Sequence, residues 1–241
     1  MSDAPPFMRP FVLHPQPVIP VREANLDLYL PAGTEPAAAI VFVHGGPIPR
    51  ERRATPRDWP VYRGYGSAAA ARGFVGATFD HRFLDLDSIE VAAEDIAAAI
   101  TRVRTNLRGD VSIALWFFSG GAMLMGKWLA EPPTWLRCVA VSYPVFATKE
   151  ELGDVAISPS EALWSSGDLP ILLTRVGLER PEFAEKVEAF VATAADAGAN
   201  LEIIDVPDGR HGFDVLDDTR QSRAAVESAF EWVGSRVHTG A

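Results

Sequence analysis

The chain has 241 residues, 48% of them hydrophobic and 22% charged, with a formal net charge of −10. A chain of this length suits one large α/β domain or two small ones, and buries roughly three quarters of its unfolded surface without staples or metals. The acidic balance argues against a nucleic-acid or anionic-membrane partner, because both need a basic patch.

Cys138 is the single cysteine, so no disulfide forms within the chain and a reducing compartment is expected. It lies in an apolar run, Arg137-Cys138-Val139-Ala140-Val141-Ser142, and reads as a small core residue of a strand. The N-terminus lacks a basic segment followed by an apolar one, and no run reaches the ~18 apolar residues of a membrane span. The expectation is a cytoplasmic protein.

In chain order, residues 1–24 carry six prolines between Pro5 and Pro20 and read as an extended, non-helical arm. Asn25–Leu30 alternates as a half-buried strand does, and residues 31–36 form a turn. Ala38–Val43 is continuously apolar, as in a strand buried on both faces. Helices are expected at Tyr65–Arg72, Val91–Leu107, Ala122–Ala130, Glu182–Ala197 and Thr219–Val237. The second shows its core stripe as Ile96, Ile100, Val103 and Leu107. Strands are expected between them at Phe74–Phe79, Val111–Phe118, Leu136–Ser142, Ile171–Thr174 and Leu201–Val206.

This alternation implies βαβ units, a mostly parallel sheet and helices on both faces, in one domain over 25–241. Two long irregular stretches, Gly45–Arg63 and Tyr143–Leu169, follow strand ends, where open α/β sheets bind ligands. The second, over about 143–169, reads as a short lid-like insertion.

Ser119 ends a strand and opens a helix through Gly120 and Gly121. That is the setting of a nucleophile elbow, whose strained turn exposes the hydroxyl and aims the next backbone N–H at a developing oxyanion. A helix N-cap serine is the plainer alternative. Phe117 stands where the G-x-S-x-G pattern has its first glycine.

Val43-His44-Gly45-Gly46-Pro47 also follows a buried strand, and its glycines let backbone N–H groups approach a substrate carbonyl. His211 is flanked by Gly209 and Gly212 on the loop before the last helix, suiting a general base with room to rotate. Glu179 is the first carboxylate after the strand at Ile171 and is the choice for orienting that imidazole. Asp208 and Asp214 are rivals close to His211. The order Ser119, Glu179, His211 is the one this kind of triad follows on an α/β scaffold. Among the other histidines, His44 sits beside the glycines, His81 is a candidate pocket residue, and His14 and His238 fall in the arm and tail.

His44-Gly45-Gly46, Phe118-Ser119-Gly120-Gly121, Gly177-Leu178-Glu179-Arg180-Pro181 and His211-Gly212-Phe213-Asp214 together resemble the α/β-hydrolases, near the dienelactone hydrolase-like and small serine esterase branches. The likeness runs over roughly residues 25–237. It implies the α/β-hydrolase fold with a mostly parallel sheet and minimal lid, a Ser-acid-His triad and ester-type substrates. Three residues depart from the pattern: Ser119 replaces the cysteine of dienelactone hydrolases proper, Phe117 replaces a glycine, and Glu179 replaces the commoner aspartate.

The expected activity is hydrolysis of small carboxylic esters or lactones through an acyl-serine, with Ser119 as nucleophile, His211 as base and Glu179 as acid. The N–H groups of Gly120 and of Gly45 or Gly46 would hold the oxyanion. His44, His81 and Tyr143 complete the expected substrate-binding set, and no metal or other cofactor is implied. Trp59, Tyr62, Trp116, Pro144, Phe146 and Trp164 are candidate pocket walls. Arg50, Arg52 and Arg53 read as a solvated loop or, less simply, as a carboxylate clamp. The alternatives are a non-catalytic ligand-binding protein of this fold, or a peptidase or acyltransferase on the same scaffold. A peptidase of this kind ordinarily carries a further large domain, for which 241 residues leave no space. The expected partner is a small-molecule ester, and the sequence is compatible with a homodimer.

Overall fold

Buried apolar runs alternate with amphipathic stretches, and the chain converts them into strands and helices with few surprises. The computed structural model describes residues 5–33, 36, 38–52, 54–107, 111–153 and 156–237; Arg53, His238, and Thr34 and Glu35 of the expected turn lie outside them. The arm is not wholly extended. Pro6–Met8 forms a 3₁₀ turn opened by a proline, whose fixed φ suits a first helical position, and strand β1 spans Val21–Glu23. Phe11 and Val12 are buried, so this segment packs onto the domain.

Strands β2 (Leu26–Tyr29) and β3 (Ala38–Val43) lead to helix α1 (Pro60–Ala71), which begins five residues before the expected Tyr65 because Pro60 serves as its first residue. Strand β4 (Val75–Phe79), helix α2 (Ile89–Leu107) and strand β5 (Ser112–Phe118) follow. After β5 the expected helix over Ala122–Ala130 divides: Ser119–Leu124 is 3₁₀, and only α3 (Gly126–Ala130) is α-helical. Two adjacent glycines at its start weaken α-helix propensity there. Strand β6 (Leu136–Ser142), the short helices α4 (Lys149–Leu152) and α5 (Pro159–Ala162), and strand β7 (Ile171–Leu178) come next. Helix α6 (Pro181–Ala197) starts on a proline and closes on Gly198 at φ 64°. Strand β8 (Leu201–Arg210), helix α7 (Phe213–Leu216) and helix α8 (Arg220–Val237) complete the chain.

Among the described residues the strands form one eight-stranded sheet in the order β1-β2-β4-β3-β5-β6-β7-β8. The β1–β2 and β2–β4 pairs are antiparallel and the others parallel. Strand alternation divides the core into two layers. Ile113, Leu115 and Phe117 of β5 face the layer under α2, α3 and α6, whereas Ala114, Trp116 and Phe118 face the layer under α1 and α8. Phe117 is thus a fully buried core residue beneath the turn that follows it, packed in the same layer as Ala122 and Leu124. Among the described residues no helix is long and apolar enough to cross a membrane.

Candidate active site

The sheet order itself opens a crevice. From β3 the chain moves to β4 on one side, then returns to β5 on the other, so the loops leaving β3 and β5 diverge at a topological switch point. The parallel register pairs Val43 with Phe117 at the ends of these strands, which brings His44 and Gly45 beside Phe118 and Ser119.

Ser119 adopts φ 50°, a left-handed conformation uncommon for a residue with a side chain. The strain is held by backbone packed directly on backbone. A Cβ at Gly120 would lie 2.0 Å from the Gly46 carbonyl oxygen, and one at Gly45 would lie 3.0 Å from Ser119 Cβ. Only glycine permits this approach of the two loops. Gly120 N–H belongs to the first turn of the 3₁₀ helix, where backbone donors have no partner within the helix.

His211 follows β8 directly, because that strand runs four residues past the expected Val206, to Arg210. Its Nε2 lies 2.7 Å from Ser119 Oγ. Strand β7 likewise runs to Leu178 rather than Thr174, which delivers Glu179 to the same end of the sheet. Glu179 Oε2 lies 2.5 Å from His211 Nδ1, and its Oε1 accepts from the backbone N–H of Arg180 at 2.8 Å. The Glu179 side chain is 5% exposed and that of His211 26%, so the carboxylate is shielded while the imidazole reaches the cleft. The structure therefore brings Ser119, His211 and Glu179 into one relay. Neither rival carboxylate joins it: Asp208 faces Gln221, and Asp214 faces two tyrosines.

Asp214 is fully buried. The hydroxyls of Tyr65 and Tyr143 donate to its carboxylate at 2.8–2.9 Å. Burial nonetheless pushes its pKa up to about 6, against the lowering effect of those two hydrogen bonds. Tyr143, at φ 39°, borders the cleft with its ring edge-on to His211, 5.1 Å between centroids. Since its hydroxyl is spent on Asp214, Tyr143 offers the cleft a ring and no free polar group.

The expected roles of His44 and His81 need correction. Both are buried, stacked face to face at 3.6 Å, and neither lines the cleft around Ser119. The His81 backbone N–H donates to His44 Nε2 at 3.3 Å, so His44 carries its proton on Nδ1 and donates it to the Gly45 carbonyl at 2.6 Å. His81 Nε2 in turn donates to the His44 carbonyl at 3.0 Å. Burial lowers the pKa of His44 and brings that of His81 down to about 4, keeping both rings neutral. They brace the glycine loop from behind.

Tyr62, named only as a candidate wall, does more. Its hydroxyl accepts from the Gly45 N–H at 3.1 Å and borders the cleft with Ser119. Burial raises its pKa, so it remains a protonated donor. Gly45 N–H is thus engaged by the Tyr62 hydroxyl at the edge of the cleft. Tyr62 lies in the first turn of α1, ahead of the helix expected from Tyr65, and carries no sequence signal for this position.

The cleft has a volume of about 310 Å³ and is open to solvent. Trp59, Tyr62 and Tyr143 line it, as do Gly45 and Gly46. Of the other expected walls, Trp116 is buried and donates to Ser142, Phe146 is buried against Phe190, and Trp164 is exposed away from the cleft. Pro144 borders a separate small cavity beside Glu179, and among the described residues of the 143–169 stretch Tyr143 alone reaches the Ser119 cleft. The Arg52 guanidinium lies over the ring of Phe7, and among the described residues no arginine borders the cleft.

Comparison with solved structures places the fold. Uncomplexed Pyrococcus horikoshii acylaminoacyl peptidase matches over 94% of this chain with a TM-score of 0.71 at 16% identity. The chain has the α/β-hydrolase fold. This hydrolase-fold chain spans 42% of that peptidase. Apo Thermogutta terrifontis esterase 2 matches over 98% of this chain and 97% of its own, with a TM-score of 0.65 at 19% identity. Another structure of that esterase has butyrate bound, with a TM-score of 0.65 at 20% identity over 93% of this chain and 95% of its own. No family model matches the chain, and no curated protein matches it in sequence.

Proposed function

We propose that this α/β-hydrolase-fold chain is a serine hydrolase cleaving small, uncharged carboxylic esters through an acyl-serine intermediate. The observation that carries it is the continuous relay from Ser119 Oγ to His211 Nε2 at 2.7 Å and from His211 Nδ1 to Glu179 at 2.5 Å. His211 takes the Ser119 proton as Oγ attacks the carbonyl carbon, and Glu179 holds the Nδ1–H tautomer and stabilises the imidazolium. The oxyanion is held by Gly120 N–H and the Tyr62 hydroxyl, the latter polarised by Gly45 N–H. Each such donor contributes about 2.7–4 kcal/mol to lowering the barrier. Collapse of the tetrahedral intermediate breaks the bond to the alkoxide, which leaves with the proton from His211. Water then attacks the acyl group by the same route, regenerating Ser119.

The ester class is supported by the cleft, whose bordering side chains are apolar or aromatic apart from Ser119, His211 and the Tyr62 hydroxyl. Among the described residues that border it there is no cation for a free carboxylate and no carboxylate for a free amine. Within the fold, serine at 119 favours simple esters over the dienelactones of the cysteine enzymes. The comparison with an esterase that matches end to end points the same way as the cleft.

The test is turnover of short p-nitrophenyl esters by the wild type and Ser119→Ala. Turnover by the wild type and loss of at least 10³-fold in the variant are expected. No turnover in either protein would favour a binding role, and full activity in the variant would remove Ser119 as nucleophile.

A further inference from the structure

The arm before β1 has a place in the site that the triad does not use. Its 3₁₀ turn, Pro6–Met8, packs between α1 and α7, the helices that flank the cleft on its two sides. Pro6 and Phe7 border the same cleft as Ser119. The Phe7 ring lies 4.9 Å from that of Trp59, and Trp59 is fixed by its Nε1–H donating to the Ala54 carbonyl at 2.8 Å. Arg52 covers the outer face of Phe7 at 4.6 Å. The rings continue inward from Trp59 to Tyr62 at 6.1 Å, so an aromatic wall runs from the arm to the oxyanion side of Ser119.

The arm is clamped where it leaves this wall. Val12 N–H donates to the Asp214 carbonyl at 3.1 Å, next to the His211 loop. Phe11 is buried with its ring 4.4 Å from Tyr65 and fills the space over Gly64, where a Cβ would lie 2.5 Å from the Phe11 ring. Phe7 is therefore held at the cleft by Trp59 and Arg52 against its ring and by the anchored Phe11 and Val12 that follow it.

Resting on the ester-hydrolase reading above, we infer that Phe7 and Trp59 form the acyl pocket and select esters with an aromatic or bulky apolar acyl group. The leaving oxygen must take its proton from His211 Nε2, so the alcohol lies along the Gly212, Val215 and Leu216 side of the cleft. The oxyanion points to Gly120 and Tyr62. The direction left for the acyl group is the part of the cleft bordered by Phe7, Trp59, Pro47 and Ile48. Flat rings stack on such a surface without a charged anchor, and offset or edge contacts of this kind add to the gain from buried area.

The experiment compares wild type, Phe7→Ala and Phe7→Leu on two series: p-nitrophenyl acetate, butyrate and benzoate, which vary the acyl group, and phenyl, ethyl and butyl acetates, which vary the alcohol. Fluorophosphonate labelling of Ser119 is followed in all three proteins. The expected result is full labelling in every protein and a fall of about tenfold or more in the benzoate-to-acetate ratio of kcat/KM for Phe7→Ala. Phe7→Leu should lie between, with the alcohol series unchanged. Normal labelling with an unchanged acyl ratio, or a change confined to the alcohol series, would overturn the acyl-pocket assignment alone. Absence of labelling in the wild type would instead overturn the ester-hydrolase reading beneath it.

Discussion

The backbone N–H of Gly45 donates to the Tyr62 hydroxyl at 3.1 Å, so this N–H is already engaged where the glycine loop meets the cleft. With Gly45 engaged, the proposed mechanism makes Tyr62 the second oxyanion donor beside Gly120. Tyr62→Phe keeps the ring contacts and removes the proton. Its kcat is expected to fall about 10²-fold with KM little changed, as for loss of one oxyanion donor. Unchanged kcat in steady-state ester hydrolysis would return the role to Gly45 or Gly46.

Glu179→Gln keeps the size of the side chain but presents an amide to His211 Nδ1, which permits the wrong imidazole tautomer. The expected loss in kcat is about 10²–10⁴-fold, with the far-ultraviolet circular dichroism of the wild type. Wild-type turnover would show that the 2.5 Å contact does not orient the base.

Gly120→Ala tests the backbone contact between the two loops. The new Cβ would lie 2.0 Å from the Gly46 carbonyl oxygen, so one loop must move. Loss of activity and destabilisation of about 1–3 kcal/mol in urea unfolding are expected, the range for overpacked sites. An active variant of unchanged stability would mean that the loops are not held as described.

Asp214 gives a signed pH prediction. Its pKa is raised by burial to about 6 from an ordinary 3.8, so the folded state binds the proton more tightly than the unfolded one. Its contribution to stability is full below pH ~4 and is lost as pH rises through about 6. Asp214→Asn removes that slope. Relative to wild type, the variant should gain on the order of 3 kcal/mol between pH 4 and pH 7, by the linkage of about two pKa units. Urea unfolding of both proteins across that range checks it; a difference independent of pH would contradict the assignment. His81 acts in the opposite sense in the wild type: its lowered pKa makes stability fall as pH drops from about 6.5 through about 4.

The sheet and the relay were legible in the sequence because both rest on local signals. Continuous apolar runs such as Ala38–Val43 mark buried parallel strands, and Ser119, Glu179 and His211 each follow a strand in the order such a triad takes. The ends of β7 and β8 were not legible, since Gly177, Pro207 and Gly209 read as turns although the sheet carries the chain on to Leu178 and Arg210. Tertiary packing hid the rest. His44 and His81 looked like pocket residues because histidine beside glycine suggests chemistry, yet their stacking across 37 positions is set by the β3–β4 pairing. Trp116 and Trp164 look alike in sequence, one buried and one exposed. Phe117, the departure from the elbow pattern, is explained by strand alternation: its side chain belongs to the core layer opposite Phe118.

The nucleophile is the centre of the account, and its most direct test is the site of covalent capture. Intact protein is treated with a fluorophosphonate and with p-nitrophenyl butyrate under rapid acid quench, and the modified residue is mapped by peptide mass spectrometry. The account predicts a single phosphonyl or butyryl adduct on Ser119, absent in Ser119→Ala and slowed at least tenfold in His211→Ala. An adduct on any other residue, or no adduct with a folded wild-type protein, would contradict it.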